Sequence, residues 1–493
     1  MNRSQKSSSS SLTLQLVRGS VWMIAARWAM RLIGLVSTVI LARLLTPDDF
    51  GVVAIASIIV GLLETIAYMG VDLALMRPGA DTREHYDTAW TIQLIQGAMI
   101  TCVLLVVAPW VSPFFSEPRA TAVVQVMALR PLIGGFQNIG IVAFRKELDF
   151  AKDFRFSLYT KLLNFSVIVG AAILLQNYWA LVIGMASSTL IYITLSYVMH
   201  PFRPKLSLAR RQELWGFSQW LIISRAGTYL TRKTDEFVVG RLLGTGAMGG
   251  YHVASELATM PTMELVMPLR RAIFPTLSKA AQDPANLERL FLLSFSAMAV
   301  LSFSIGFGLM SIAPELVPLV LGAKWTNAVT PMAWLSLFGA FSAIILALEM
   351  LLWVSGKMSA SATQAWLELA LLLPATYFAA RTSGIEGVAI ARLAVSIAVM
   401  PAMIYFVSSS CKIHQRKLYG AVWRPILAGV FMVTILHFAS ASSIESAKLM
   451  LLAKVAAGIV IFPCGLFALW LIAGRPPGLE AEILTIGKKI LKR

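Results

Sequence analysis

The sequence predicts an all-α, polytopic membrane protein with about 14 transmembrane helices. Of its 493 residues, 57% are hydrophobic, and the mean hydropathy of +0.74 is too high for a soluble domain. Runs of about 20 apolar residues, the length that spans a bilayer as a helix, recur until nearly the end of the chain. Basic residues cluster in alternate connections between these runs, as they do in multi-pass proteins.

The apolar runs form two groups of six, followed by a final pair. The first six predicted helices are Gly19–Leu45, Gly51–Met69, Ala89–Val107, Ala122–Ala143, Ser157–Leu175 and Tyr178–Met199. The second six are Leu214–Leu243, Ala247–Phe274, Leu290–Ile312, Val329–Val354, Ser361–Ala380 and Ile385–Val407. The final pair is Ala421–Ala439 and Met450–Ile472.

These runs predict the domain organisation and the orientation. The predicted segments are a disordered tail (1–17), an N-terminal six-helix bundle (18–200), a linker (201–213), a C-terminal six-helix bundle (214–408), two additional helices (421–473) and a basic tail (474–493). Because most Lys and Arg fall on the side of the linker, that side and both termini are predicted to be cytoplasmic.

The two groups of six show an internal repeat. A shift of 198 positions without a gap aligns Trp22 with Trp220, Arg27 with Arg225, Arg43 with Arg241, and Gly51 with Gly249. Both repeats enter the membrane in the same direction, which predicts a pseudo-twofold axis along the membrane normal, as in parallel-repeat transporters.

The predicted seventh helix carries charges where a bilayer would disfavour them. At ~100° per residue, Arg225, Arg232 and Glu236 share one helical face. A charge near a helix centre costs ~2.5–3.5 kcal/mol on insertion scales, so this face is expected to line a cavity or meet a partner.

Arginines in the first and seventh predicted helices are candidate ligands for an anion. Guanidinium groups stay charged and bind phosphoryl oxygens bidentately, which favours a phosphate or pyrophosphate. The alternative is that they pair with buried carboxylates and have a structural role. The candidate substrate-binding residues are Arg27, Arg31, Arg225, Arg232 and Lys233.

Acidic residues inside predicted spans are candidates for coupling transport to H⁺ or Na⁺. A buried carboxylate without a partner tends to bind a proton or cation. Glu236 lies four residues after Arg232 and can simply neutralise it, whereas Glu64, Glu349 and Glu368 have no basic neighbour at helical spacing. The candidate coupling residues are Glu64, Asp235, Glu236, Glu349 and Glu368.

Other functional classes find little support in the sequence. The histidines and cysteines lack metal-ligand spacing, so no metal or cofactor beyond a coupling ion is expected. A G-x-G-x-x-G match at 244–249 follows a membrane helix rather than a strand, and no phosphate-binding P-loop is present. The net charge of +17 is explained by topology and not by nucleic acid. All outward connections are short, which argues against a membrane enzyme such as a polymerase or ligase.

Two segments resemble a known family. VSTVILARLLTPDDFGVVAIA (Val36–Ala56) and KTDEFVVGRLLGTGAMGGY (Lys233–Tyr251) are similar to the polysaccharide-biosynthesis branch of the multidrug/oligosaccharidyl-lipid/polysaccharide exporter superfamily, in particular its Wzx-type flippases. The resemblance implies two six-helix bundles in a V around a central cationic cavity, plus two C-terminal helices. It also implies alternating access and an undecaprenyl-pyrophosphate-linked oligosaccharide as substrate, flipped across the bacterial inner membrane.

The same resemblance implies membrane lipids, the polysaccharide polymerase and the chain-length machinery as partners. Two alternatives share the helical plan: a small-molecule or drug exporter of the superfamily, and a flippase for a peptidoglycan lipid precursor. Cationic drugs would favour an acidic cavity, whereas the candidate residues here are basic.

Overall fold

The computed structural model describes residues 28–67, 70, 74–75, 82–147, 149–212, 219–439, 446–476 and 478–482. All regular secondary structure within these ranges is helical, which confirms the all-α prediction. Nine helical stretches among the described residues are long and apolar enough to cross a membrane, judged by length and composition.

The chain forms two compact units, Met1–Tyr229 and Leu230–Arg493. The helices of the first unit are α1 (28–44), α2 (Pro47–Ala67), α3 (Arg83–Phe115), α4 (Arg119–Met127), α5 (Leu129–Gly135), α6 (Val142–Lys146), α7 (Phe150–Leu175) and α8 (Trp179–Met199). The long helix α9 (Gln219–Ala280) begins in the first unit and lies mostly in the second. It is followed by α10 (Pro284–Val320), α11 (Val329–Val354), α12 (Met358–Cys411), α13 (Gln415–Ala439) and α14 (Ala447–Ile472).

The difference between nine candidate spans and 14 predicted helices has local causes. The first predicted helix begins before the described residues, and the fourth is broken into short pieces. The seventh and eighth both fall in α9, which has no stretch that meets both the hydropathy and the charge limits for a span. The eleventh and twelfth are joined within α12. The number 14 and the V arrangement therefore stay predictions.

A capping box in the T-P-D-D segment starts α2. The Asp49 carboxylate accepts hydrogen bonds from the backbone N and hydroxyl of Thr46, at 2.9 and 2.6 Å, and the Asp49 N–H donates back to the Thr46 hydroxyl at 3.2 Å. Pro47 occupies the first helical position, where a missing N–H costs nothing. The segment therefore ends α1 and begins α2 within two residues.

The start of α2 is joined to two other connections of the first unit. Arg119 donates two hydrogen bonds to the Glu117 carboxylate, at 2.7 and 2.9 Å, and lies 2.7 Å from an Asp48 oxygen. The hydrogen bonds from Arg119 hold the pKa of the Glu117 carboxyl below its usual range. Asp49 also accepts from the Tyr178 N–H at 2.9 Å. These contacts fix three helix connections on the side of the unit predicted to face outward.

The predicted helix Ala122–Ala143 is wrong as a single helix, because its hydrogen-bond ladder is interrupted between α4 and α5 and the chain leaves the α-helix after Gly135. Pro131 lacks the N–H that would continue the helical ladder. A hydroxyl from α3 bridges the break: Thr101 Oγ1 donates to the Ala128 carbonyl at 2.6 Å and accepts from the Leu132 N–H at 3.2 Å. A tertiary contact thus replaces one intrahelical hydrogen bond.

Glycines in left-handed conformations divide the two longest helices. Gly244 has φ 83° and ψ −179° inside α9, and Gly384 has φ 60° and ψ −146° inside α12. Both conformations are readily available only to glycine. Gly244 lies 198 residues after Thr46, the residue between α1 and α2. The break at Gly244 and the break at Thr46 are therefore at equivalent positions of the predicted repeat.

The second unit is built on a continuous apolar core. Phe303 lies edge-on to Phe341 with ring centroids 5.1 Å apart, and Phe291 stacks on Phe295 at 5.4 Å. The outer helix faces are apolar as well, with Leu174 84% and Ile472 81% exposed. Large apolar side chains with this exposure suit contact with lipid tails.

Candidate functional site

The first unit contains a pocket of about 370 Å³ among α2, α3, α5, α6, α7 and α8. We call it the polar pocket because hydrogen-bonding side chains face it from several helices. Its main polar residues are Glu64, Gln93, Gln96, Arg130 and Gln137.

The break between α4 and α5 shapes the polar pocket. Gln93 and Gln96 lie three residues apart on α3 and so share one side of that helix. Gly97 allows α3 to approach α5 closely, because a Cβ at this position would overlap the Pro131 carbonyl oxygen. Arg130 stands just after the break and lines the pocket formed there.

Glu64 is the acidic residue of α2 that lines the polar pocket. It makes no hydrogen bond and no ion pair within 4 Å to any residue that the structure describes, but it interacts electrostatically with Arg130. The sequence correctly shows no basic neighbour along its own helix. The positive charge comes instead from α5, a contact that helical periodicity cannot reveal.

In the second unit, Glu236 is held by two groups of α9. Lys233 Nζ donates to one carboxylate oxygen at 2.5 Å, and His252 Nδ1 lies 3.1 Å from the other. The Glu236 side chain is 6% exposed. The expectation that Arg232 neutralises Glu236 is wrong, because Lys233 and His252 occupy both oxygens while Arg232 is exposed.

Asp235, the neighbouring carboxylate, joins α9 to α12. Arg392 of α12 donates to the Thr231 carbonyl at 2.6 Å, and its Nε lies 3.8 Å from Asp235 Oδ2. The Tyr251 hydroxyl donates to the same oxygen at 2.8 Å. The Arg392 guanidinium also lies 4.5 Å from the centre of the Phe338 ring on α11. Asp235 and Arg392 side chains are both 5% exposed.

We call these residues the buried charge network. Its members are Lys233, Asp235, Glu236, Tyr251, His252 and Arg392. Two carboxylates face two permanent cations, so the network is neutral when the histidine is neutral. A charge-balanced network of this kind binds helices together and offers little free charge to an anion.

The remaining predicted cations are placed as follows. Arg27 lies outside the described residues, as does the side chain of Arg225. Arg31 is half-buried on α1. Arg232 is exposed on α9 and interacts electrostatically with Glu349 and Arg270. The structure therefore brings Arg232 near a carboxylate, and the role of these cations in binding stays a prediction.

Two further carboxylates predicted for coupling have partners within the second unit. Glu349 of α11 interacts with Arg270 of α9, which supplies the positive charge that its own helix lacks. Glu368 of α12 accepts a hydrogen bond from Gln364 at 2.7 Å. Among the described residues, no group of three or more His, Cys, Asp or Glu could hold a metal ion.

Comparison with known proteins identifies the family. Residues 40–330 match the polysaccharide biosynthesis protein family. The chain belongs to this family. The lipopolysaccharide biosynthesis protein WzxC of Escherichia coli (strain K12) is 24% identical over 405 residues, covering 80% of this chain and 81% of WzxC. The teichuronic acid biosynthesis protein TuaB of Bacillus subtilis (strain 168) is 21% identical over 488 residues, covering 97% and 99%.

A solved structure supports the fold. The lipid II flippase MurJ, in an inward closed conformation, matches with a TM-score of 0.72 at 12% identity, covering 93% of this chain and 100% of MurJ. The predicted resemblance to the Wzx-type branch is confirmed. The chain is a multi-pass membrane protein of polysaccharide biosynthesis, not an enzyme.

Sequence reasoning missed two of the cations that organise these sites. Arg130 is the only charged residue of the apolar run Ala122–Ala143, and Arg392 is the only basic residue of Ile385–Val407. A single basic residue in an apolar span must find a partner inside the protein. The sequence therefore indicated that both residues have a partner inside the protein, but it did not indicate which residue that partner is.

Proposed function

We propose that the chain is a flippase for undecaprenyl-pyrophosphate-linked oligosaccharide repeat units, which it moves across the inner membrane for exopolysaccharide, capsule or O-antigen synthesis. The observation that carries the proposal is the match of residues 40–330 to the polysaccharide biosynthesis protein family. The names of WzxC and TuaB refer to cell-surface glycans, and that of MurJ to a flipped lipid. A lipid-linked saccharide combines both properties.

The chemistry of such a substrate explains why a protein is needed. Sugars and a pyrophosphate carry many polar groups, each of which is costly to bury in hydrocarbon without a hydrogen bond. In the proposed cycle the substrate cavity opens alternately to the two sides of the membrane. Cations such as Arg31 and Arg232 attract the pyrophosphate. The polysaccharide polymerase and chain-length machinery are proposed to take over the delivered repeat unit.

Among the predicted coupling residues, the geometry favours Glu64. Asp235 and Glu236 already have short contacts to basic or hydroxyl groups in the buried charge network. Glu368 is hydrogen-bonded by Gln364, and Glu349 interacts with Arg270 and Ser361. Glu64, by contrast, lines a pocket and makes no hydrogen bond to a described residue, so its carboxylate is available to bind a proton or Na⁺.

The alternative functions find less support. A drug exporter would share the helical plan, but the family match and the names of WzxC and TuaB point to glycan synthesis. A flippase for a peptidoglycan precursor is suggested by MurJ, but at 12% identity that likeness concerns the fold.

Transport can be tested with the purified chain in proteoliposomes. An undecaprenyl-pyrophosphate-linked oligosaccharide is reconstituted in both leaflets, and a glycosidase is added outside. We expect digestion of the inner-leaflet pool only when the protein is present. Replacing Arg27, Arg225 or Arg232 with Ala should slow this digestion because the pyrophosphate loses a positively charged ligand.

The control variant is Arg381→Ala, which removes a positive charge from a predicted outward connection. It should flip as fast as the wild type. Gel filtration establishes that each variant is folded. If the wild type leaves the inner pool protected under ion gradients of either sign, the flippase proposal is contradicted.

A further inference from the structure

A second pocket lies in the second unit, at the ends of its helices. It has a volume of about 820 Å³ and is formed by the first turns of α10 and α13 together with the segment that follows α14. We call it the interfacial pocket. The connections at these helix ends are on the side predicted to be cytoplasmic.

The rim of the interfacial pocket is basic. Arg289, Arg416 and Lys417 all line it. Lys417 donates to Glu288 at 2.6 Å, and Arg289 lies 3.7 Å from Glu482. The second contact is weak, because the Arg289 side chain is 77% exposed.

Arg416 has no ion pair or hydrogen bond to any side chain among the residues that the structure describes, and it is exposed. Arg289 and Arg416 are therefore two guanidinium groups available at one pocket. The first turns of α10 and α13 add the partial positive charge of two helix N-termini.

One wall of the pocket is held in place by buried contacts. Arg424 of α13 donates to Glu480 at 2.6 Å, and the two side chains are 6% and 10% exposed. The indole N–H of Trp470 donates to the Pro476 carbonyl at 3.0 Å. These contacts hold residues 473–476 and 478–482 against α13, so the pocket is a built feature of the unit.

The other wall of the pocket is apolar. Leu292 and Leu293 line it from α10, and Trp423 lines it from α13 with 40% of its surface exposed. An indole near the end of a membrane-spanning helix is typical of the boundary between headgroups and acyl chains. The pocket therefore combines a cationic rim with an apolar wall at a membrane surface.

We propose that the interfacial pocket binds an anionic phospholipid of the cytoplasmic leaflet. The phosphate would bridge Arg289 and Arg416, displacing Glu482 from its weak pair, while an acyl chain packs on Leu292, Leu293 and Trp423. Basic pockets between helices on this side of a membrane suit such headgroups. The site is separate from the flippase activity, since no residue assigned to transport lines it.

Binding is measured on the full-length purified protein by native mass spectrometry, with phosphatidylglycerol and phosphatidylcholine of equal chain length. We expect a preference for phosphatidylglycerol that weakens at least about tenfold in Arg289→Gln/Arg416→Gln. The matched control is Arg271→Gln/Lys279→Gln, which removes two exposed positive charges from α9 outside the pocket. It should bind like the wild type.

A second measurement does not depend on the charge variants. Phosphatidylglycerol brominated on its acyl chain should quench the tryptophan fluorescence of the wild type, and Trp423→Phe should remove part of that quenching. Three results would overturn the proposal. They are equal weakening in the control, equal quenching in Trp423→Phe, and binding of inorganic phosphate as tight as that of the lipid.

Discussion

Single charged residues in apolar helices determine where the helices of each unit meet. Arg392 reaches Asp235, the Thr231 carbonyl and the Phe338 ring, so one side chain connects α12 with α9 and α11. The sequence predicts that such a residue is buried and paired, because the bilayer leaves no alternative. It cannot predict which helix supplies the partner.

The charged residues that the sequence did single out show the same limit. Helical spacing assigns Glu236 to Arg232, whereas His252 and Lys233 hold it. His252 is close because Gly244 turns the chain back. The spacing of residues within one helix does not predict this turn.

Asp235→Asn should strongly destabilise the protein. The substitution keeps the shape of the side chain but leaves the buried Arg392 charge without its carboxylate, a change that costs about 3–5 kcal/mol in buried pairs. We expect a clear fall in Tm, measured by thermal unfolding in detergent. The control is Asp149→Asn, which breaks an exposed pair with Lys152 worth about 0–1 kcal/mol and retains an N-cap side chain. Equal falls in Tm would mean that the Asp235–Arg392 pair contributes little.

At the scale of the helices, the sequence predicts positions of apolar runs better than it predicts their breaks. The T-P-D-D segment has the capping-box residues and the proline that are typical of a helix start, and the structure shows both at the start of α2. The break before Pro131 is different, because its completion depends on the Thr101 hydroxyl of α3. A contact between helices thus decided where one predicted span ended.

Gly97→Ala should destabilise the first unit by forcing α3 away from α5. The added methyl group would overlap the Pro131 carbonyl oxygen and backbone, and overpacking of this kind costs about 1–3 kcal/mol. A lower Tm in detergent is expected. Gly170→Ala is the matched control, since the same methyl group on α7 meets nothing within 4 Å and alanine favours a helix by about 0.5–1 kcal/mol over glycine. If both variants unfold at the wild-type temperature, the close crossing of α3 and α5 is not required.

At the scale of the whole molecule, composition and the resemblance were sufficient for the fold class and the family. Long apolar runs joined by short loops indicate a helical membrane protein and argue against other fold classes. The A-R-L-L-T-P-D-D-F-G segment indicated the family whose model matches residues 40–330. The polar pocket could not be predicted from the sequence, because its residues come from six helices that only the folded unit brings together.

The polar pocket leads to a prediction about the energetics of the transport cycle. Moving two negative charges outward is favoured by ~4–5 kcal/mol per 100 mV of inside-negative potential. Return of the empty carrier moves its positive cavity inward, which the same potential also favours. A carboxylate that binds a cation outside and releases it inside would add the gradient of that ion to the driving force. Glu64 is placed to do so because it lines a pocket and has no hydrogen bond to a described residue.

Glu64→Gln should therefore uncouple flipping from a proton gradient while leaving its dependence on membrane potential intact. The flipping rate is measured in proteoliposomes with an imposed pH difference, and again with a potassium diffusion potential at equal pH. Glu84→Gln, which alters an exposed pair with Arg210 outside the pocket, should respond to both gradients like the wild type. Should Glu64→Gln keep the full response to pH, the coupling site is not Glu64. If Na⁺ rather than pH drives the wild type, the same variant should lose its response to Na⁺, because the amide carries no charge to bind the ion.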